Sequence, residues 1–129
     1  MIYAVIADVH GNYSAFRAVI DDAKAKGAGA FLLLGDYTLD TPMLNEVVDT
    51  MRTLPNCTAI LGNGDIRIIN LDKTKPEKCE LEQMLPTFWT YKNLSEQNLN
   101  YLKSLPESAD IMLSCGRKVH LSHSIPLIG

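Results

Sequence analysis

Six polar residues stand where apolar runs of the chain break off: Asp8 and His10, then Asp36, then Asn63 and Asp65, and late in the chain His123. Asp8 and His10 are two residues apart, so on an extended chain their side chains point to the same side. Carboxylate, imidazole and amide oxygen together form a mixed ligand set suited to Mn, Fe or Zn. A carboxylate such as Asp36 can bridge two ions, an arrangement that clamps a phosphoryl group and generates hydroxide near neutral pH. Gly35 and Gly62, beside these residues, permit the close backbone approach that a crowded site needs.

Each of these residues also has a plainer reading. Asp8 could cap the helix that follows it, Asp36 could be an ordinary turn residue, and Asn63 between two glycines could be a left-handed turn residue. His123 competes with His120. Three apart on a strand, the two face opposite sides, and His123 lies nearer the C-terminal edge, which makes it the better ligand and leaves His120 structural or exposed. Arg67 could steady a substrate phosphate through its planar fork or be a surface cation. Tyr37 and Asp40 could line a cleft beside Asp36.

The elements that must position these groups follow from hydrophobic pattern. Residues 2–7 are β-rich and almost wholly apolar, as expected of a strand covered on both faces. Phe16, Val19, Ile20 and Ala23 recur at helical spacing, with Gly27 placed to stop that helix. Residues 30–34 read as a second strand. A second helix is expected with Thr41 as N-cap, Pro42 at its first position and Leu44, Val47, Val48 and Met51 as its stripe, ending at Leu54-Pro55. Residues 57–61 form a third strand running into Gly62-Asn63-Gly64-Asp65.

This β-α-β-α-β order argues an α/β domain with parallel strands and right-handed crossovers, whose ligands bind at the C-terminal strand ends. Farther on, residues 66–85 are partly helical by pattern, with 73–78 a charged surface excursion broken by Pro76. Ser95 reads as an N-cap, with Leu94 and Leu99 as a hydrophobic staple, for a helix ending near Leu105-Pro106. Residues 109–114 and 118–122 form a hairpin about Cys115-Gly116-Arg117. The Phe88-Trp89-x-Tyr91 cluster lacks surrounding basic residues and suits core packing or a subunit contact.

Composition excludes several classes. The chain has 129 residues, 12 Lys+Arg against 15 Asp+Glu and a net charge of −3, so a dedicated nucleic-acid binder is not expected. Its longest apolar runs are too short to span a bilayer, and no basic segment precedes an apolar core at the start. Cys57, Cys79 and Cys115 are odd in number and scattered, which suits buried, reduced thiols and a cytoplasmic setting. One domain over residues 1–129 is the natural count.

Asp8-Val9-His10, Gly35-Asp36, Gly62-Asn63-Gly64-Asp65 and His123, in that order and each after an expected strand, resemble the motifs of calcineurin-like metallophosphoesterases. Leu94-Ser95-Glu96-Gln97-Asn98-Leu99 resembles a helix of a bacterial phosphodiesterase-like branch. The resemblance implies an αββα sandwich and two divalent ions (Mn, Fe, Zn or Ni), the first held by Asp8 and His10, the second by Asn63 and His123, with Asp36 bridging. Asp65 would orient its neighbours. It further implies a metal-dependent phosphoesterase acting on a small phosphate ester or nucleotide, with metal-held hydroxide attacking a phosphodiester. Gly64 stands where many members carry the histidine that protonates the leaving group. The family's closing G-H-x-H is absent, which implies a sandwich incomplete at its C-terminus, a truncated domain, and an exposed edge that invites self-association. The competing reading is a catalytically degenerate domain of the same fold, acting through metal or partner binding. A haloacid-dehalogenase-like phosphotransferase would need a second aspartate where His10 stands.

Overall fold

The computed structural model describes residues 1–38, 42–73 and 85–124, apart from the side chains of residues 72, 73, 85, 86 and 88. Thr41, Asp40, Pro76 and Cys79 lie outside the described residues. Three strands, β1 (Ile2–Ile6), β2 (Ala28–Leu33) and β3 (Cys57–Ala59), form a parallel sheet in the order β1-β2-β3. Helices α1 (Tyr13–Ala25) and α2 (Leu44–Thr53) make the crossovers. After β3 come α3 (Asn63–Ile69), a short 3-10 turn, α4 (Leu85–Asn93) and α5 (Glu96–Lys103). A hairpin of β4 (Ser108–Met112) and β5 (Lys118–Ser122) closes the described chain.

Alternation along β2 divides the core. Phe31 and Leu33 point to the helices and pack with Phe16, Ile20, Val47, Val48, Met51 and Leu102. Leu32 and Leu34 point the other way, into a smaller cluster with Ile60 and with Ala109, Ile111, Val119 and Leu121 of the hairpin. The layers are therefore helices, parallel sheet and hairpin, and each of α1–α5 contributes to the larger cluster through buried or half-buried apolar residues, α4 doing so through Tyr91.

Several local expectations hold. Asn12 caps α1 by accepting from the Ala15 N–H at 3.1 Å, which removes helix capping as a role for Asp8. Ser95 caps α5 through the Asn98 N–H at 3.2 Å, and Leu94 and Leu99 join the same cluster as a staple would require. Around Cys115-Gly116-Arg117 the hairpin turns with Gly116 at φ +89°, a backbone region that favours glycine.

Others need correction. Strand β1 is not covered on both faces: it is an edge strand, with Ile2 55% and Val5 61% exposed, because the hairpin packs over the middle of the sheet. Helix α2 begins at Leu44 after Met43, leaving Pro42 in the preceding turn. Val19, expected on the buried stripe of α1, is exposed. Asn63 is not a left-handed turn residue, since it starts α3. In the aromatic cluster Tyr91 packs inward as expected, whereas Trp89 on α4 is exposed rather than part of the core. Cys115 lies exposed in the hairpin turn rather than buried.

One buried side chain ties the strand ends together. Asp65, fully buried in α3, accepts the N–H groups of Asp36 at 2.7 Å, Gly62 at 2.8 Å and Tyr37 at 3.2 Å. Burial pushes its carboxyl up to about 6, against the pull of those three donors, and the Asp36 charge adds to the rise. Tyr37 reinforces the tie: fully buried, its hydroxyl lies against the carbonyls of Leu33 and Ile60 at the ends of the two strands. Burial, followed by the Asp65 charge, holds that phenol far above its usual range.

Replacing Asp65 with Ala strands three buried N–H donors and is expected to cost about 3 kcal/mol or more of folding stability. A urea unfolding midpoint within about 1 kcal/mol of the parent chain would disprove that tie. Burial also pushes the Cys57 thiol up to about 11. Peptide-resolved labelling at pH 8 should therefore modify exposed Cys115 well before Cys57, and equal rates would contradict that environment.

Candidate metal centre

The expected ligands come from four separate strand ends, and backbone bonds between the loops bring them together. The Asp8 N–H donates to the Gly35 carbonyl at 3.0 Å, the His10 N–H to Asp36 at 3.0 Å and the Gly11 N–H to Tyr37 at 2.7 Å. The loop after β1 thus runs beside the loop after β2 like an irregular continuation of the sheet. Gly35 makes the next approach possible: a Cβ there would stand 2.5 Å from the Gly62 nitrogen and 2.9 Å from His123 Nδ1. A side chain on Gly62 would collide with the Asp36 carboxylate.

Asp8, His10 and Asp36 all adopt left-handed backbone, at φ +56°, +47° and +59°. Among the described non-glycine residues only Asn56 joins them. Such conformations cost on the order of 1 kcal/mol each and persist where the surroundings over-determine them, often at functional sites. Here the inter-loop bonds and the Asp65 tie do so.

The side chains converge. His10 Nε2 lies 3.5 Å from Asp8 Oδ1 and 3.9 Å from Asp36 Oδ2. His123 Nε2 approaches the same two oxygens, lying 3.9 Å from Asp8 Oδ1 and 3.3 Å from Asp36 Oδ2. Two donors bound to one ion at its usual bond lengths stand about 3.0–3.5 Å apart, so these separations come within about half an ångström of a metal's demand. Asp8, His10 and Asp36 each offer one ligand atom within 4.8 Å of the others, and this donor set fits a divalent ion.

Two orienting bonds prepare the cluster. The Gly64 N–H donates to Asp36 Oδ1 at 2.9 Å, leaving Oδ2 turned toward the imidazoles. His123 Nδ1 lies 2.7 Å from the Leu34 carbonyl, which can only accept, so Nδ1 carries a proton and Nε2 is the ring nitrogen turned to the carboxylates. Burial opposes a charge on His123, but the Leu34 carbonyl and the carboxylates of Asp36, Asp8 and Asp65 outweigh it and raise its pKa.

Asn63 is exposed in the first turn of α3 and shares with His123 a cleft of about 280 Å³. Glu107, Ser108, Ser122 and Ser124 also line that cleft. Sequence reasoning missed these four, although their proximity to the expected hairpin ends was the available signal. Arg67 is exposed in the last turn of α3. Tyr37 does not line a cleft, being a buried strut, and Asp40 lies outside the described residues. His120 is exposed on β5 and pairs with Asp110 across the hairpin at 2.7 Å.

Proteins of similar sequence and fold are known. An uncharacterized protein of Methanocaldococcus jannaschii is 34% identical over 123 residues, covering 95% of this chain and 49% of that protein. The crystal structure of a metallophosphoesterase from Sphaerobacter thermophilus superposes with a TM-score of 0.67 at 30% identity, covering 85% of this chain and 43% of that one. A hypothetical protein from Pyrococcus horikoshii OT3 shares the fold at a TM-score of 0.72 and 20% identity, over 93% of this chain and 54% of that one. The chain thus spans about half the length of the relatives it matches. A family model for calcineurin-like phosphoesterases matches residues 1–126, nearly the whole chain, and the chain belongs to that family.

Proposed function

We propose that this chain binds two divalent metal ions through Asp8, His10, Asp36, Asn63 and His123 and hydrolyses phosphate esters there, phosphodiesters in preference. The observation that carries this reading is the interleaving of two imidazoles with two carboxylates at the ends of β1, β2 and β5. Bound ions would supply Lewis acidity, drawing charge from phosphoryl oxygens and making water acidic enough to furnish hydroxide near neutral pH. Asp36, its Oδ1 held by Gly64, would offer Oδ2 as the shared ligand. His123 would ligate through Nε2, its ring held by Leu34. Half-exposed His10 keeps the site open to an incoming ester. Gly64 offers no imidazole to protonate a departing alcohol, which together with the resemblance to phosphodiesterases motivates the diester preference.

The same Gly64 supports a second reading, a domain of one piece that keeps metal affinity but acts through partner contacts. Exposed Ile2 and Val5 on the edge of β1 offer such a contact, including one with a second copy of the chain. None of the described helices is long and apolar enough to cross a membrane. The free thiols of Cys57 and Cys115 support a reducing, cytoplasmic setting.

Calorimetric titration with Mn should register two ions per chain, and Asp36→Ala should weaken binding by at least about 100-fold, the upper end of what losing a mere ligand-orienting partner costs. Absence of binding heat would sink the metal reading. The Mn-loaded chain should hydrolyse bis(p-nitrophenyl) phosphate faster than p-nitrophenyl phosphate. Turnover of the monoester alone would refute the diester preference, and metal binding without turnover of either would establish the second reading.

A further inference from the structure

The cleft beside Asn63 and His123 has a chemistry of its own. Beyond those two residues its polar lining residues are Glu107, Ser108, Ser122, Ser124 and His120, and its apolar ones Leu61 and Ile66. Ser108 and Ser122 are register partners across β4 and β5, so their backbones stand opposite one another at the hairpin's open end. The described residues lining the cleft include no Lys or Arg. His120, which also borders it, is engaged with Asp110 at 2.7 Å. A second phosphate would therefore meet Glu107, with Asp8 and Asp36 nearby, and no free cation among the described lining residues.

We infer that this cleft is the subsite for the alcohol portion of the substrate, and that the group it takes is an uncharged vicinal diol such as ribose or glycerol. Sugar hydroxyls would donate to Glu107 and exchange hydrogen bonds with Ser108 and Ser122, while the carbon skeleton lies against Leu61 and Ile66. A carboxylate accepting a neutral hydroxyl makes one of the stronger hydrogen bonds available. The cleft's volume of about 280 Å³ suits a single sugar ring rather than a larger ligand. This inference rests on the proposed metal centre, which would hold the phosphate while the cleft reads what is esterified to it.

Binding separates the two claims without requiring turnover. The Mn-loaded full chain is titrated with inorganic phosphate, ribose 5-phosphate and glycerol 3-phosphate. At least one of the two polyol phosphates should bind about tenfold more tightly than phosphate, and comparing them distinguishes ring from open-chain diol. Glu107→Gln and, separately, Ser108→Ala should erase most of that advantage while leaving phosphate affinity unchanged; both residues are exposed, and thermal melts verify that each variant folds. Equal affinities for phosphate and both polyol phosphates would overturn the subsite alone. An advantage that survives both variants would overturn the assignment of its residues. Failure to bind Mn or phosphate would overturn the metal centre and the subsite with it.

Discussion

The carboxylate of Asp65 is the interaction on which the other loops depend. It takes three backbone N–H groups from two loops, those of Asp36, Tyr37 and Gly62, in a place where water cannot satisfy them. With that anchor, the turn after β2 lies against the start of α3 closely enough that neither Gly35 nor Gly62 has room for a Cβ. The turn after β1 is then held to the turn after β2 by its own backbone bonds. The left-handed conformations of Asp8, His10 and Asp36 are local costs within this larger gain, and they aim three side chains at one point.

Much of this was legible in the sequence, for a physical reason. Buried parallel strands and amphipathic helices announce themselves through period and residue type, and β2, α1 and α2 read clearly at Ala30–Leu33, Phe16–Ile20 and Leu44–Met51. Strand ends were marked by abrupt polarity at Asp8, Asp36 and Asn63, so the residues most suited to ligation could be named before their geometry was known. Ser95 and its staple were equally plain, because capping is a short-range interaction.

What escaped the sequence was set by long-range packing. On the face where Tyr3 joins the cluster of a hairpin more than a hundred residues later, Val5 stays exposed, a difference no local pattern carries. Tyr37 looked like a cleft residue from its place after Asp36, yet its phenol points inward to two strand carbonyls. The glycines of Gly62-Asn63-Gly64-Asp65 made a left-handed turn at Asn63 a plain reading of that segment. It begins a helix because Asp65 reaches back to the Gly62 N–H in the manner of a capping box, a device that composition alone does not distinguish from a flexible turn.

The grip of Gly64 on Asp36 has a thermodynamic consequence. One carboxylate oxygen is already bonded and the other already aimed, so most of the rotational freedom that a ligand must surrender is lost when the chain folds rather than when an ion arrives. The centre is thus preorganised. Its scaffold is assembled by hydrophobic packing and by Asp65, unlike small metal-dependent domains in which the ion does the folding. An ion binding as proposed would therefore meet a carboxylate whose aim folding has already fixed, and its affinity would be spent on coordination rather than on ordering that side chain.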